Sequence, residues 1–181
     1  MKYMIMTGPE SSGKTSLTQA LALRYEWPLV PEYARWYLSR KADPRYTLEE
    51  VLAMAEHQWR LERYLSHCHR QRDWLLCDTD LLVFEVWLEV VYGYCPDWIA
   101  RAWREGEERH YVLCDIDVPW EADPLREAPA FAQRQMLFER YRQKLMDGPH
   151  PYCLVSGAVE QRMEKLAREW WVKAENFSSG D

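Results

Sequence analysis

Asparagine is almost missing from this chain: the single one in 181 residues, Asn176, lies in the terminal stretch NFSSGD. An NKxD-type element therefore has no place in the sequence, which excludes a guanine-specific switch of that kind. The five cysteines (Cys68, Cys77, Cys95, Cys114, Cys153) show no CxxC spacing, and three fall in strand-like runs where buried thiols are ordinary. His57, His67 and His69 form no convincing ligand set, so no transition-metal site is expected. Excess positive charge is also missing. A net charge of -6 argues against nucleic acid as the main partner, because such binding depends on clustered Lys and Arg. No apolar run reaches membrane-spanning length, and the first strand starts at residue 2, so the reading is a reduced, soluble, cytoplasmic protein without membrane contact. There is no repeat, Gly/Ser linker or low-complexity tract. With 48% hydrophobic residues, the chain suits one domain over 1–181 with a frayed tail at 176–181.

What is present is a rhythm of short apolar runs: Lys2 to Thr7, Trp27 to Val30, Trp74 to Asp78, Tyr111 to Asp115 and Tyr152 to Ser156. Unbroken apolar runs suit strands covered on both faces, and helical material lies between them, so a five-stranded parallel sheet in a three-layer α/β/α sandwich follows. The spacing predicts the longest helix from Thr47 to about Arg72, with Leu48, Val51, Leu52, Ala55, Trp59 and Leu65 on one face and a Thr47/Glu50 capping box. Further helices are expected at Leu81 to Tyr92, Pro96 to Glu105 and from Phe131, with Trp170 and Trp171 closing the last helix against the sheet. Residues 115 to 129, DIDVPWEADPLREAP, fit neither period, and a connection of this length after strand four reads as a lid segment.

Gly8, Gly13, Lys14 and Thr15 complete the pattern GxxxxGK[ST] in GPESSGKT, between a strand and a helix. Its glycines let backbone amides turn toward phosphate oxygens, the helix N-terminus adds positive potential, Lys14 reaches the outer phosphates, and Thr15 offers a hydroxyl to magnesium. ATP and Mg2+ are the expected cofactors, with Glu10, Ser11, Ser12 and Ser16 completing the loop. Magnesium also wants a carboxylate at a strand end. Asp78 is preferred to Asp115 because Asp80, two residues on, points the same way along an extended chain; the rival reading makes Asp80 a helix cap.

Beyond strand two, Glu32 and Arg35 are three apart, so one helical turn would face both toward the loop, unless they form only a surface ion pair. Gln58 lies beside the apolar stripe of the long helix, where its amide would read a base edge or carboxamide, or simply border solvent. In the lid segment Arg126 would bring positive charge over the transferring phosphoryl, with Arg134 a weaker alternative; Asp123 would hold Arg126, contact acceptor hydroxyls, or form a turn.

Taken together, GPESSGKT, EYAR at 32 to 35, the Gln58 helix, DTD at 78 to 80 and PWEADPLR at 119 to 126 resemble the ribosylnicotinamide kinase domain of NadR-type NAD-biosynthesis regulators, in order and over nearly the whole chain. The resemblance implies ATP-dependent phosphorylation of the 5'-hydroxyl of nicotinamide riboside, giving nicotinamide mononucleotide. It implies that Lys14 and Thr15 serve ATP and magnesium, that Glu32, Tyr33 and Arg35 line the acceptor pocket, and that Asp78 serves magnesium or the hydroxyl, leaving the base open between Glu32 and Asp78. Pro31 stands where the family pattern has a stacking aromatic, a place Trp36 or Tyr33 would take. The alternatives are a kinase of another nucleoside or small alcohol, and an AAA-like ATPase or nucleotide-sensing protein without an acceptor. Whether the chain is a monomer or a homo-oligomer is not decided by the sequence.

Overall fold

The structure is a computed structural model that describes residues 1–43, 45–120 and 130–171. Five parallel strands, β1 (Lys2–Thr7), β2 (Leu29–Val30), β3 (Trp74–Asp78), β4 (Arg109–Cys114) and β5 (Tyr152–Val155), pair in the order β2-β3-β1-β4-β5. Between them run α1 (Lys14–Tyr25), α2 (Tyr33–Leu38), α3 (Leu48–Cys68), α4 (Leu81–Tyr92), α5 (Asp97–Arg104), α6 (Phe131–Asp147) and α7 (Val159–Leu166), the last passing into a π-helical turn at Ala167–Trp171.

Strand periodicity divides the core into two layers. Tyr3, Ile5, Leu75, Cys77, Tyr111 and Leu113 face α2 to α6, whereas Met4, Met6, Leu76, Val112, Cys114 and Val155 face Leu17 and Leu21 of α1 and Leu166 of α7. This is the expected three-layer sandwich. β2 is shorter than the expected Trp27 to Val30: Pro28 has no N–H for the ladder and contributes only its carbonyl, to Leu76 N–H. The long helix starts as its sequence dictates, the Thr47 hydroxyl accepting from Glu50 N–H while the Glu50 carboxylate accepts from Thr47 N–H. It ends at Cys68, short of Arg72. Trp170 stacks on Trp74 at 6.4 Å, covering the α1/α7 side of the sheet. All five cysteines are free, and among the described residues no helix is long and apolar enough to cross a membrane.

β1 lies at the centre between β3 and β4, so chain order reverses at its C-terminal end, where open parallel sheets place their ligands. The phosphate loop leaves the sheet at that crevice.

Candidate active site

Gly8 has φ 129°, and a Cβ there would stand 2.8 Å from the Cys114 carbonyl oxygen, so only glycine lets the loop pass the end of β4. Gly13, φ 80°, caps α1 without a side chain, leaving the first-turn amides of the helix free to meet an anion. The Ser12 hydroxyl donates to the Pro9 carbonyl at 2.8 Å and ties the loop across its mouth. Lys14 Nζ donates to the carbonyls of Gly8 (2.9 Å) and Pro9 (2.7 Å), which holds the ammonium over the loop.

Thr15 Oγ1 donates to Asp78 Oδ2 at 2.7 Å, while Asp78 Oδ1 is buried without a hydrogen-bond partner. Burial raises the Asp78 pKa, and the Thr15 hydroxyl works against that. A hydroxyl and a carboxylate with unused lone pairs are oxygen donors suited to a hard divalent cation, so the residues fit magnesium. Asp115 is not part of this group; its carboxylate accepts from Ile116 N–H at 2.7 Å.

A cavity of about 680 Å³ runs from Gly157, Ala158 and Val159, past the whole phosphate loop, to Glu32 and Arg35, and on into a chamber walled by Leu38, Val83, Val86, Trp87, Leu137 and Tyr141. That volume suits a small-molecule site. A second, more open cavity of about 810 Å³ lies beyond Glu32 and Asp78, along Arg35, Trp36, Arg40 and Lys41. Gly8, Glu10, Ser11, Ser12, Gly13, Lys14, Thr15, Ser16, Glu32 and Arg35 are thus brought together at the first cavity, whereas Asp78 borders the second.

Glu32 occupies the N-cap position of α2 but does not cap it with its side chain. Gln58 of α3 does that work, its Oε1 accepting from Tyr33 N–H at 2.8 Å, which frees the Glu32 carboxylate to line the cavity. Burial lifts Glu32 to about 7, opposed by Lys14 and Arg35 and reinforced by Asp78 and Glu10. Such a carboxyl exchanges a proton near neutral pH.

Several other expected site residues do not line the main cavity. Gln58 is fully buried as the tertiary cap of α2 and lines neither cavity. Asp80 is also fully buried: it accepts from Leu82 N–H at 3.0 Å, from Arg109 Nη1 at 3.0 Å and from the Tyr111 hydroxyl at 2.6 Å, which makes it the cap of α4 and part of an ion cluster. Tyr33 stacks on His57 at 4.9 Å and lines neither cavity. Trp36, which packs on Tyr33 and lies under Arg40, borders only the second cavity. Pro31 borders that cavity too. The aromatics of the main chamber are instead Trp87, Tyr46 and Tyr141, with Trp87 Nε1 donating to the Tyr46 hydroxyl at 2.9 Å. Arg134 is buried on the core side of α6, its guanidinium 5.5 Å from the Trp120 ring, and does not line the cavity. Asp123 and Arg126 lie outside the described residues.

Besides these chamber aromatics, Thr79 and Arg162 escaped sequence reasoning. Thr79 lines the cavity with φ 74°, a conformation costly for a β-branched residue, and no sequence signal announces it. Arg162 reaches the phosphate loop from α7, 150 residues away in sequence; the hint was an arginine two positions after the glutamate of GAVEQR, just past a buried strand.

A family model described as an AAA domain matches residues 3–162. Among solved structures, the NadR protein in complex with NAD and AMP-PNP superposes with a TM-score of 0.65 at 17% identity, over 93% of this chain and 49% of that one. Thymidylate kinase from Ehrlichia chaffeensis matches at 0.61 and 14% identity, over 96% and 97% of the two chains. Deoxyadenosine kinase from M. mycoides, solved with dCMP and dCDP, matches at 0.59 and 13% identity, over 95% and 100%. These likenesses establish a P-loop kinase-like fold. Comparison with curated proteins gives no match.

Proposed function

This chain belongs to the AAA domain family, and from that premise we propose that it is an ATP-dependent kinase of a small alcohol, with nicotinamide riboside as the leading acceptor. The observation that carries the reading is one continuous cavity in which the phosphate loop, with Thr15 bonded to Asp78 behind it, and a proton-exchanging Glu32 adjoin a chamber large enough for a second molecule. An ATPase that passes phosphate only to water has no use for such a chamber.

The loop amides and Lys14 hold the outer phosphates of ATP. Glu32 accepts the proton of the acceptor hydroxyl as its oxygen bonds to the terminal phosphorus, the bond from that phosphorus to the bridging oxygen breaks, and ADP leaves. Arg35 steadies the negative charge beside Glu32. Asp78, engaged by Thr15, is assigned to the metal rather than to the proton. Magnesium held at Thr15 and Asp78 supplies positive charge against the phosphates.

The chamber favours an acceptor whose body is flat and makes few hydrogen-bond demands. Purine and pyrimidine edges would leave donors and acceptors unpaired against Leu38, Val83, Val86 and Leu137. A pyridinium ring suits an aromatic neighbour such as Trp87 through cation–π attraction, and the Gln133 amide at the chamber wall matches a carboxamide.

The test is ADP release against a panel of ribosides and deoxyribosides. Selective stimulation by nicotinamide riboside supports the reading; no stimulation removes that substrate, and stimulation by another riboside retains the kinase alone. A second reading, an acceptor-independent ATPase or nucleotide sensor, is favoured by the family match itself. ATP turnover indifferent to every acceptor, with ATP-dependent ring assembly by native mass spectrometry, would establish it instead.

A further inference from the structure

Arg162 is one of the largest fully buried side chains, only 1% exposed. Its guanidinium joins three separate parts of the chain. Nη1 donates to the Ser12 carbonyl at 2.6 Å, Nε to the Gly157 carbonyl at 2.8 Å, and Nη2 to Asp117 Oδ1 at 2.6 Å. The other oxygen of Asp117 accepts from Gly157 N–H. Removing a guanidinium from water is costly unless charge-assisted bonds replace the lost hydration, and here a carboxylate and two carbonyls do so.

The bond to Ser12 bears on phosphate recognition. In a trans peptide the carbonyl and the following N–H point to opposite sides of the unit. Anchoring the Ser12 carbonyl toward α7 therefore turns the Gly13 N–H the other way, toward the interior of the phosphate loop. Gly13 has the freedom at φ 80° to let this peptide rotate, and a Cβ there would crowd Arg162 Nη1 at 3.2 Å. Without an anchor the carbonyl oxygen and the amide would exchange places at small cost. A carbonyl turned inward repels phosphate where an amide attracts it.

We propose that Arg162, itself held by Asp117, is a positioning residue for nucleotide phosphates: it sets the Ser12–Gly13 peptide and so makes the loop an anion site without touching the anion. Asp117 belongs to the exit of β4 and Gly157 to the turn before α7, so the clamp also fixes the loop relative to the Gly157–Val159 end of the cavity. The inference rests on the nucleotide half of the proposed function and is independent of the acceptor.

The test compares wild type with Arg162→Ala, Arg162→Lys and Asp117→Asn, each checked for native circular dichroism. ADP affinity is read by calorimetry and adenosine affinity by saturation-transfer NMR, with no acceptor present. The expected result for Arg162→Ala is about tenfold weaker ADP binding, equivalent to about 1.4 kcal/mol, with adenosine affinity within about twofold of wild type. Arg162→Lys does not rescue, because an ammonium cannot reproduce the planar fork across three acceptors. Asp117→Asn weakens ADP binding about threefold, and carries the test alone if the Arg162 variants fail to fold. Unchanged ADP affinity in the folded variants, or equal loss for ADP and adenosine, overturns the clamp. Wild type without ADP affinity overturns both the clamp and the ATP reading.

Discussion

Asp78 and Asp80 stand at the same end of β3 with one residue between them, yet they belong to different regions of the molecule. Asp78 borders the second cavity, holds Thr15 by one oxygen and keeps the other without a partner. Asp80 turns inward, where Leu82 N–H, Arg109 and the Tyr111 hydroxyl occupy it and Glu62 shares the same arginine at 3.0 Å. The cavity-side carboxylate has bonding capacity in reserve; the inward one has none. Thr79 separates them: its φ of 74° breaks the extended alternation that would have aimed both side chains alike. One region borders open cavities, the other holds α3, α4 and the sheet together.

That division is open to attack by substitution. The largest effect is expected on the cavity side, where Glu32→Gln should lower kcat by about 10²–10⁴-fold, measured as acceptor-dependent ADP release. Because Glu32 sits near 7, kcat/KM of the wild type should fall about tenfold per unit as pH drops below 7 and level off above it. The stability effect has the opposite sense. A carboxyl raised from 4.5 to about 7 binds its proton more tightly when folded, so wild-type stability declines as pH climbs through that window. Glu32→Gln should therefore be at least as stable as wild type above pH 7 in urea unfolding.

Next comes the buried side: Asp80→Ala should cost about 3–5 kcal/mol of folding stability by denaturant titration, since it unbalances Arg109 and uncaps α4. Full stability in that variant would show that the cluster does not hold the fold. Asp78→Asn should do the reverse, lowering turnover about 10–100-fold and raising the magnesium requirement while changing folding stability by no more than about 1 kcal/mol. If Asp78→Asn unfolds the protein, the comparison between the two aspartates is broken. Smallest, Trp87→Ala should raise the acceptor KM about threefold to tenfold with ATP KM unchanged, which steady-state kinetics with each substrate varied in turn will read.

Local signals were enough for much of the fold. GPESSGKT between a strand and a helix, the Thr47/Glu50 box and the unbroken apolar runs each state their structure within a few residues; the loop, the box and five strands are all found, with β2 cut to two residues and β4 starting two residues early. Glu32 and Arg35 were readable because one helical turn carries them. What stayed hidden depends on distant partners. Gln58 looked available on its helix because nothing near it in sequence says that Tyr33 N–H, 25 residues earlier, needs an acceptor. Asp80 looked like a neighbour of Asp78 because a positive φ at a threonine has no compositional mark. Arg109 and Arg162 look like surface charges until the chain closes around them.

The backbone at Thr79 also has a practical side. A threonine held at positive φ stores about 1–3 kcal/mol of conformational energy that glycine would not. Selection for heat-tolerant descendants of this protein would therefore find position 79 early, and any descendant that gained heat resistance there while slowing down would reveal how much of its speed had been kept in that one distorted bend.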